Sequence, residues 1–193
     1  GGMLKGSGMI HPNMATTLTF LTTDAAISAE MLQQALSDVV KVTLNRASVD
    51  GDTSTNDMVC VLASGGAGNK TITSDGEDYA SFENALYNIM LNLARMMARD
   101  GEGATKLIEC SVSGAKDEKT AETVAKSVIC SSLFKAAMFG EDANWGRILC
   151  AVGYADADFD INQVDVKIGS AKGVIDVCKN GAGVDFSEDK AKE

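Results

Sequence analysis

Apolar and polar positions change rhythm several times along this chain, and each change predicts an element. Thr17 to Thr23 alternates and reads as a buried strand. From Ser28, a natural helix cap, to about Asn45, the apolar residues Leu32, Leu36, Val39 and Val40 fall near one helical face. Met58 to Ala63 is a continuous apolar run, short and partly β-branched, and predicts a strand buried on both faces. Ser64-Gly-Gly-Ala-Gly-Asn69 is a loop. A second long helix runs roughly from Asp78 to Arg99, with Phe82, Leu86, Ile89, Leu93 and Met96/Met97 inward. Its methionine-rich face reads as core packing.

Further on, Thr105 to Ser113 alternates like a strand and Glu118 to Ile129 repeats like a helix. Leu133 to Met138 predicts a short apolar strand, and Ala143 to Val152 a short helix. Val164 to Ile168 and Val174 to Cys178 form a last alternating pair, with Lys172-Gly173 as the turn. The charged tail from Ser187 reads as a helix start. Strands interleaved with helices, without a linker, imply a layered α/β sandwich.

Composition narrows the function classes. A formal charge of −10 argues against nucleic-acid binding, which needs a basic face, and equally against an anionic membrane surface. Hydrophobic residues make up 45% of the chain, ordinary for a globular domain. No apolar run reaches the ~18 residues of a membrane span, and no signal peptide is visible; the expected compartment is the cytoplasm. Cys60, Cys110, Cys130, Cys150 and Cys178 are scattered without a Cys-x-x-Cys pair and read as reduced core thiols. Asp50, Asp52 and Asp57 suggest a cation loop, but Thr55 stands where that pattern needs Gly and Val61 where it needs Glu. The expectation is therefore no metal, and an ordered turn in which Thr53, Ser54 and Thr55 bond backbone.

The candidate chemistry sits near the start. Gly1 to Thr16 is glycine-rich and carries Lys5, and the chain's one His and one Pro follow at His11 and Pro12. A hydroxyl at the head of a strand suits a self-cleaving enzyme. Once the bond before a Thr is broken, its own α-amine becomes the general base for its Oγ, titrating near ~8.

The stretch Lys5-Gly-Ser-Gly-Met-Ile-His-Pro-Asn-Met-Ala-Thr16 resembles the cleavage and nucleophile motif of the ornithine acetyltransferases, the ArgJ family of bifunctional glutamate N-acetyltransferases. Three further blocks resemble the same family in the same order: Val49-Asp-Gly-Asp-Thr-Ser-Thr-Asn-Asp57, Arg99-Asp-Gly-Glu-Gly-Ala-Thr-Lys106 and Phe139-Gly-Glu-Asp-Ala-Asn-Trp-Gly-Arg-Ile148. The resemblance implies the self-cleaving α/β sandwich shared with the β-peptidyl aminopeptidases, with helices on both sides of stacked sheets.

Carried onto this chain, it makes Thr16 the nucleophile, with cleavage between Ala15 and Thr16. Thr17, where the family usually has Met, is the rival hydroxyl. Lys5 and Glu102 become substrate contacts for a carboxylate and an amine. His11 is a loop residue or, alternatively, the cleavage base. Asn144-Trp-Gly-Arg147 caps and anchors a helix, or contributes to the site or a subunit contact. Residues 1–15 correspond to the end of an α-chain portion and 16–193 to a β-chain portion continuing beyond this sequence, with oxyanion donors and further substrate contacts outside it. The implied activity moves an acetyl group from N-acetylornithine to glutamate in arginine biosynthesis. No cofactor is implied, and acetyl-CoA is a further candidate donor. The implied assembly pairs the chain with its own α-chain in a tetramer of two α and two β chains. An amide-hydrolysing enzyme of the same fold, or an inactive fragment, is the alternative.

Overall fold

The structure, a computed structural model, describes residues 1–11 and 17–192. It divides into two compact units, Gly1–Leu107 and Ile108–Glu193, although no linker composition marks the junction.

In the first unit, β1 (Gly2–Lys5), β2 (Leu18–Thr23) and β3 (Met58–Ala63) form one sheet in that order. β1 runs antiparallel to β2, from Gly2 opposite Leu21 to Lys5 opposite Leu18. β2 and β3 are parallel, from Leu18 opposite Met58 to Thr23 opposite Ala63. A parallel pair needs a long crossover, and this one contains α1 (Ala29–Val42). The Ser28 hydroxyl caps α1 by accepting from the Met31 N–H at 3.3 Å. The longer α2 (Glu77–Arg99) has acids in its first turn and Arg99 in its last, matching the helix dipole.

One sheet face meets these helices. Leu21 is buried there with Val39, Val40, Leu86 and Met90, and Leu4, Val59 and Val61 pack against the same core. Each such aliphatic side chain contributes about 1.5–3 kcal/mol when fully buried. The alternate positions Leu18, Phe20, Met58 and Leu62 are exposed, Leu62 to 60%. The apolar run of β3 is thus half-covered among the described residues, not buried on both faces. Met96 is likewise 66% exposed, so only Met97 of that pair joins the core.

β1 does not follow from pattern. Its glycines suggest a loose segment, yet Gly2 is required by close packing: a Cβ there would stand 2.3 Å from Leu21 Cδ2.

The second unit contains α3 (Glu118–Cys130), α4 (Ser132–Phe139), α5 (Trp145–Gly153), β4 (Val166–Ser170), β5 (Gly173–Lys179), a short β6 (Ala182–Gly183) and a final turn of helix, α6 (Glu188–Ala191). The strands form an antiparallel sheet in the order β4-β5-β6. Val128, Phe134, Ile148, Ala151 and Val152 of the helices share a core with Val166, Val177 and Cys178 of the sheet. Of the five thiols, only Cys178 is fully buried; Cys150 is exposed and the rest are half-buried.

Two sequence expectations fail here. Leu133–Met138 is helical rather than a strand, because Ser131 caps it, its Oγ accepting from the Phe134 N–H at 3.3 Å. A short apolar run carries no period that separates helix from strand. Thr105–Ser113 alternates but lies in neither sheet, and alternation without a partner strand satisfies no backbone donors.

Candidate functional site

Three loops of the first unit meet beyond Lys5. The first is Gly6 to His11, the second is 48–57 ahead of β3, and the third is 100–104 after α2. Their junction is backbone to carboxylate. Asp50 Oδ2 accepts from the Met9 N–H at 2.6 Å, and Oδ1 accepts from Ile10 at 3.0 Å and from Asp52 at 3.0 Å. These N–H donors hold the Asp50 carboxyl below its ordinary range although burial acts the other way as the largest single cause. The Val49 N–H returns the connection, donating to the Ile10 carbonyl at 2.7 Å, and the Ile10 side chain is fully buried. His11 Nδ1 lies 3.1 Å from Ser48 Oγ, and its carbonyl accepts from the Thr53 hydroxyl at 3.0 Å.

The third loop joins on the other side. The Glu102 N–H donates to the Ser7 carbonyl at 2.7 Å, and the Glu102 carboxylate lies over Gly8. A Cβ at residue 8 would stand 2.9 Å from Glu102 Oε2 and 4.0 Å from Asp50 Oδ2, so Gly8 keeps the space between two acids open. Met9 then takes a left-handed backbone, φ 55°, an uncommon state for a residue with a side chain. Such conformations persist where surroundings impose them, and here the Asp50 bond does so.

Lys5 ends β1 as an exposed cation, and Glu102 is an exposed acid. The structure thus joins the Lys5 segment to the Glu102 loop through residues 7 and 8. Thr16, Ala15 and the bond between them lie outside the described residues. Thr17, the rival hydroxyl, heads β2 and is buried, with its carbonyl accepting from the Met58 N–H at 2.9 Å.

The Asp50–Asp57 segment is an ordered turn, with one difference in detail. Ser54 Oγ accepts from the Asn56 N–H at 3.1 Å and Thr53 bonds the His11 carbonyl, but the Thr55 hydroxyl bonds the Asn56 side chain rather than backbone. Among the described residues, no group of three or more His, Cys, Asp and Glu side chains is placed to hold a metal ion.

Sequence reading weighed Asp57 only as part of a cation loop, which it set aside. Both its carboxylate oxygens are buried without a well-formed hydrogen bond among the described residues. Burial raises its pKa, opposed by the weaker pull of the Thr17 N–H. An acid directly ahead of an apolar strand was the available signal.

In the second unit, the Asn144-Trp-Gly-Arg147 block is accounted for by structure. Asn144 Oδ1 caps α5 by accepting from the Arg147 N–H at 3.1 Å, and its Nδ2 donates to Asp142 at 3.0 Å. Arg147 Nη1 donates to the Leu133 carbonyl at 2.8 Å, tying α5 to α4. The Trp145 ring lies against Gly183, where a Cβ would come within 2.2 Å of Cζ2.

These observations define an α/β protein whose candidate site is a junction of glycine-rich and acidic loops at one end of a sheet. The model of the ArgJ family matches residues 1–193, and the chain belongs to that family. It is 61% identical over 168 residues to the arginine biosynthesis bifunctional protein ArgJ of Staphylococcus epidermidis, covering 87% of this chain and 42% of that protein. Against the ArgJ protein of Caldanaerobacter subterraneus subsp. tengcongensis it is 53% identical over 192 residues, 100% of this chain and 48% of the relative. The crystal structure of the ArgJ protein from Bacillus halodurans superposes with a TM-score of 0.83 at 47% identity, covering 90% of this chain and 79% of that one. The expected α/β fold is therefore that of the family. The chain spans about half the length of the curated relatives it matches.

Proposed function

We propose that the full-length protein is an acyltransferase of arginine biosynthesis that moves an acetyl group from N-acetylornithine to glutamate through an acetyl-Thr16 intermediate. The observation that carries this reading is the family match over all of residues 1–193, which includes the four motif blocks. In the proposed sequence, Thr16 Oγ attacks the Ala15 carbonyl, an N-to-O shift gives an ester, and water hydrolyses it. Residues 1–15 then end one chain and residue 16 begins the next. The new α-amine takes the Oγ proton as Oγ attacks the donor's acetyl carbonyl, and ornithine leaves. The glutamate amine then attacks the acetyl ester, which restores the Thr hydroxyl.

The loop junction supports this assignment of substrate ends. Lys5 supplies a cation for a substrate carboxylate. Glu102, held by Ser7 and lying over Gly8, supplies an anion for an amine. Acetyl-CoA serves as an alternative donor in this scheme, and no cofactor takes part. We place the enzyme in the cytoplasm as a tetramer of two α and two β chains; no helix among the described residues is long and apolar enough to cross a membrane.

The kinetic form is the test. A waiting acetyl ester predicts parallel double-reciprocal lines for N-acetylornithine against glutamate. It also predicts one acetyl group on the peptide beginning at Thr16 when donor is supplied alone. Converging lines with an unlabelled Thr16 would remove the covalent mechanism, and rapid acetate release without glutamate would make the enzyme a hydrolase.

A further inference from the structure

The first eleven residues bond to segments far along the chain. β1 pairs antiparallel with β2, from Gly2 opposite Leu21 to Lys5 opposite Leu18, as the outer strand of its sheet. Its alternate side chains fall on opposite faces. Leu4 packs on the core shared with α1 and α2, and Gly2 lies against Leu21, where a Cβ would not fit. Beyond β1 the grip passes to loops. The Glu102 N–H donates to the Ser7 carbonyl at 2.7 Å, and the Met9 and Ile10 N–H groups donate to Asp50 at 2.6 and 3.0 Å. The Val49 N–H donates to the Ile10 carbonyl at 2.7 Å, and the Thr53 hydroxyl donates to the His11 carbonyl at 3.0 Å. The Ile10 side chain is fully buried and shares the core with Leu21, Val39 and Met90.

Every partner in these contacts lies at residue 18 or beyond. This is the way an extended peptide binds as an added strand: main-chain hydrogen bonds give affinity, and pockets for chosen side chains give specificity. Dividing the chain between residues 11 and 17 breaks none of these contacts, because each is made through space and none through the link.

Resting on the cleavage reading given above, we propose that residues 1–11 are a self-sufficient docking segment, by which the free end of one product chain stays bound to the other. Ile10 is its anchor and the Asp50 carboxylate its clamp. The surface that receives it is the open side of β2 together with the loops at 48–53 and 100–104. The pairing of β1 keeps Lys5 on the same body as the Glu102 loop after the covalent link is gone.

The experiment compares hydrogen exchange in two full-length proteins, cleaved wild type and uncleaved Thr16→Ala. The proposal expects the Met9, Ile10, Val49 and Glu102 amides to be protected equally in both, within about twofold. Ile10→Ala then separates an anchor between chains from an ordinary core residue. In the cleaved protein it should speed exchange at these four amides more than tenfold. In the Thr16→Ala background the loss should be several-fold smaller, because the intact link keeps the segment at a high effective concentration. Exchange at Met9 and Ile10 more than tenfold faster in cleaved wild type than in Thr16→Ala would overturn the proposal. An equal loss from Ile10→Ala in both backgrounds would also overturn it, and either result leaves the cleavage reading intact. A wild type that stays a single chain by mass removes both readings. If Ile10→Ala does not fold, Asp50→Asn, which keeps the side chain's size but removes its charge, is put through the same comparison with the same expected difference.

Discussion

The two units each hold motif blocks of the family, but they use them differently. In the second unit the side chains of Asn144 and Arg147 have structural tasks. Asn144 caps α5, Arg147 joins α5 to α4, and Trp145 fills the space over Gly183. In the first unit, residues 7–11 of the first block meet the blocks at 49–57 and 99–106, and structure does not consume all their chemistry. Asp50 organises backbone, while Lys5 and Glu102 are exposed and the Asp57 carboxylate is buried without a well-formed hydrogen bond. Residues of a shared motif therefore need not share a role.

That contrast breaks if the second-unit block carries chemistry. Trp145→Ala should cost about 3 kcal/mol of stability, as for loss of a large packed aromatic, read as a lower midpoint in denaturant. Its kcat/KM per folded enzyme should stay within twofold of wild type. A fall of more than tenfold without loss of stability would make Trp145 part of the site.

Asp50→Ala tests the junction itself and should cost about 2 kcal/mol, because three N–H groups lose their acceptor. Hydrogen exchange at Met9, Ile10 and Asp52 should rise, while amides of α1 and α2 keep their protection. Unchanged exchange at Met9 and Ile10 would mean that the junction does not depend on Asp50.

The smallest expected stability effects come at the proposed substrate contacts. Lys5→Ala and Glu102→Ala change exposed side chains and should alter stability by no more than about 0.5 kcal/mol. Each should lower kcat/KM by more than tenfold, about 1.4 kcal/mol of transition-state stabilisation. A variant with wild-type kcat/KM carries only a surface charge at that position.

Much of this molecule was legible in the sequence because its periodicity and caps are local. Ser28 and Asn144 cap their helices as read, and Met58–Ala63 is a strand with those bounds. Failures fall where tertiary context decides. β1 exists because Gly2 packs under Leu21, and α4 is a helix because Ser131 caps an apolar run that has no period of its own. The site was half-legible for the same reason. The family resemblance pointed to Lys5, Thr16 and Glu102. The acceptor role of Asp50, the left-handed Met9 and the burial of Asp57 arise only when loops distant in sequence meet.

The central claim is that one hydroxyl, that of Thr16, both splits the chain and carries the acetyl group. Its most direct measurement is the intact mass of the purified full-length protein beside its Thr16→Ala variant, each incubated with N-acetylornithine alone. The account predicts two wild-type chains divided between Ala15 and Thr16, with one acetyl group on the chain beginning at Thr16, and a single unacetylated chain for the variant. A variant that splits normally, or a wild type acetylated elsewhere, would contradict it.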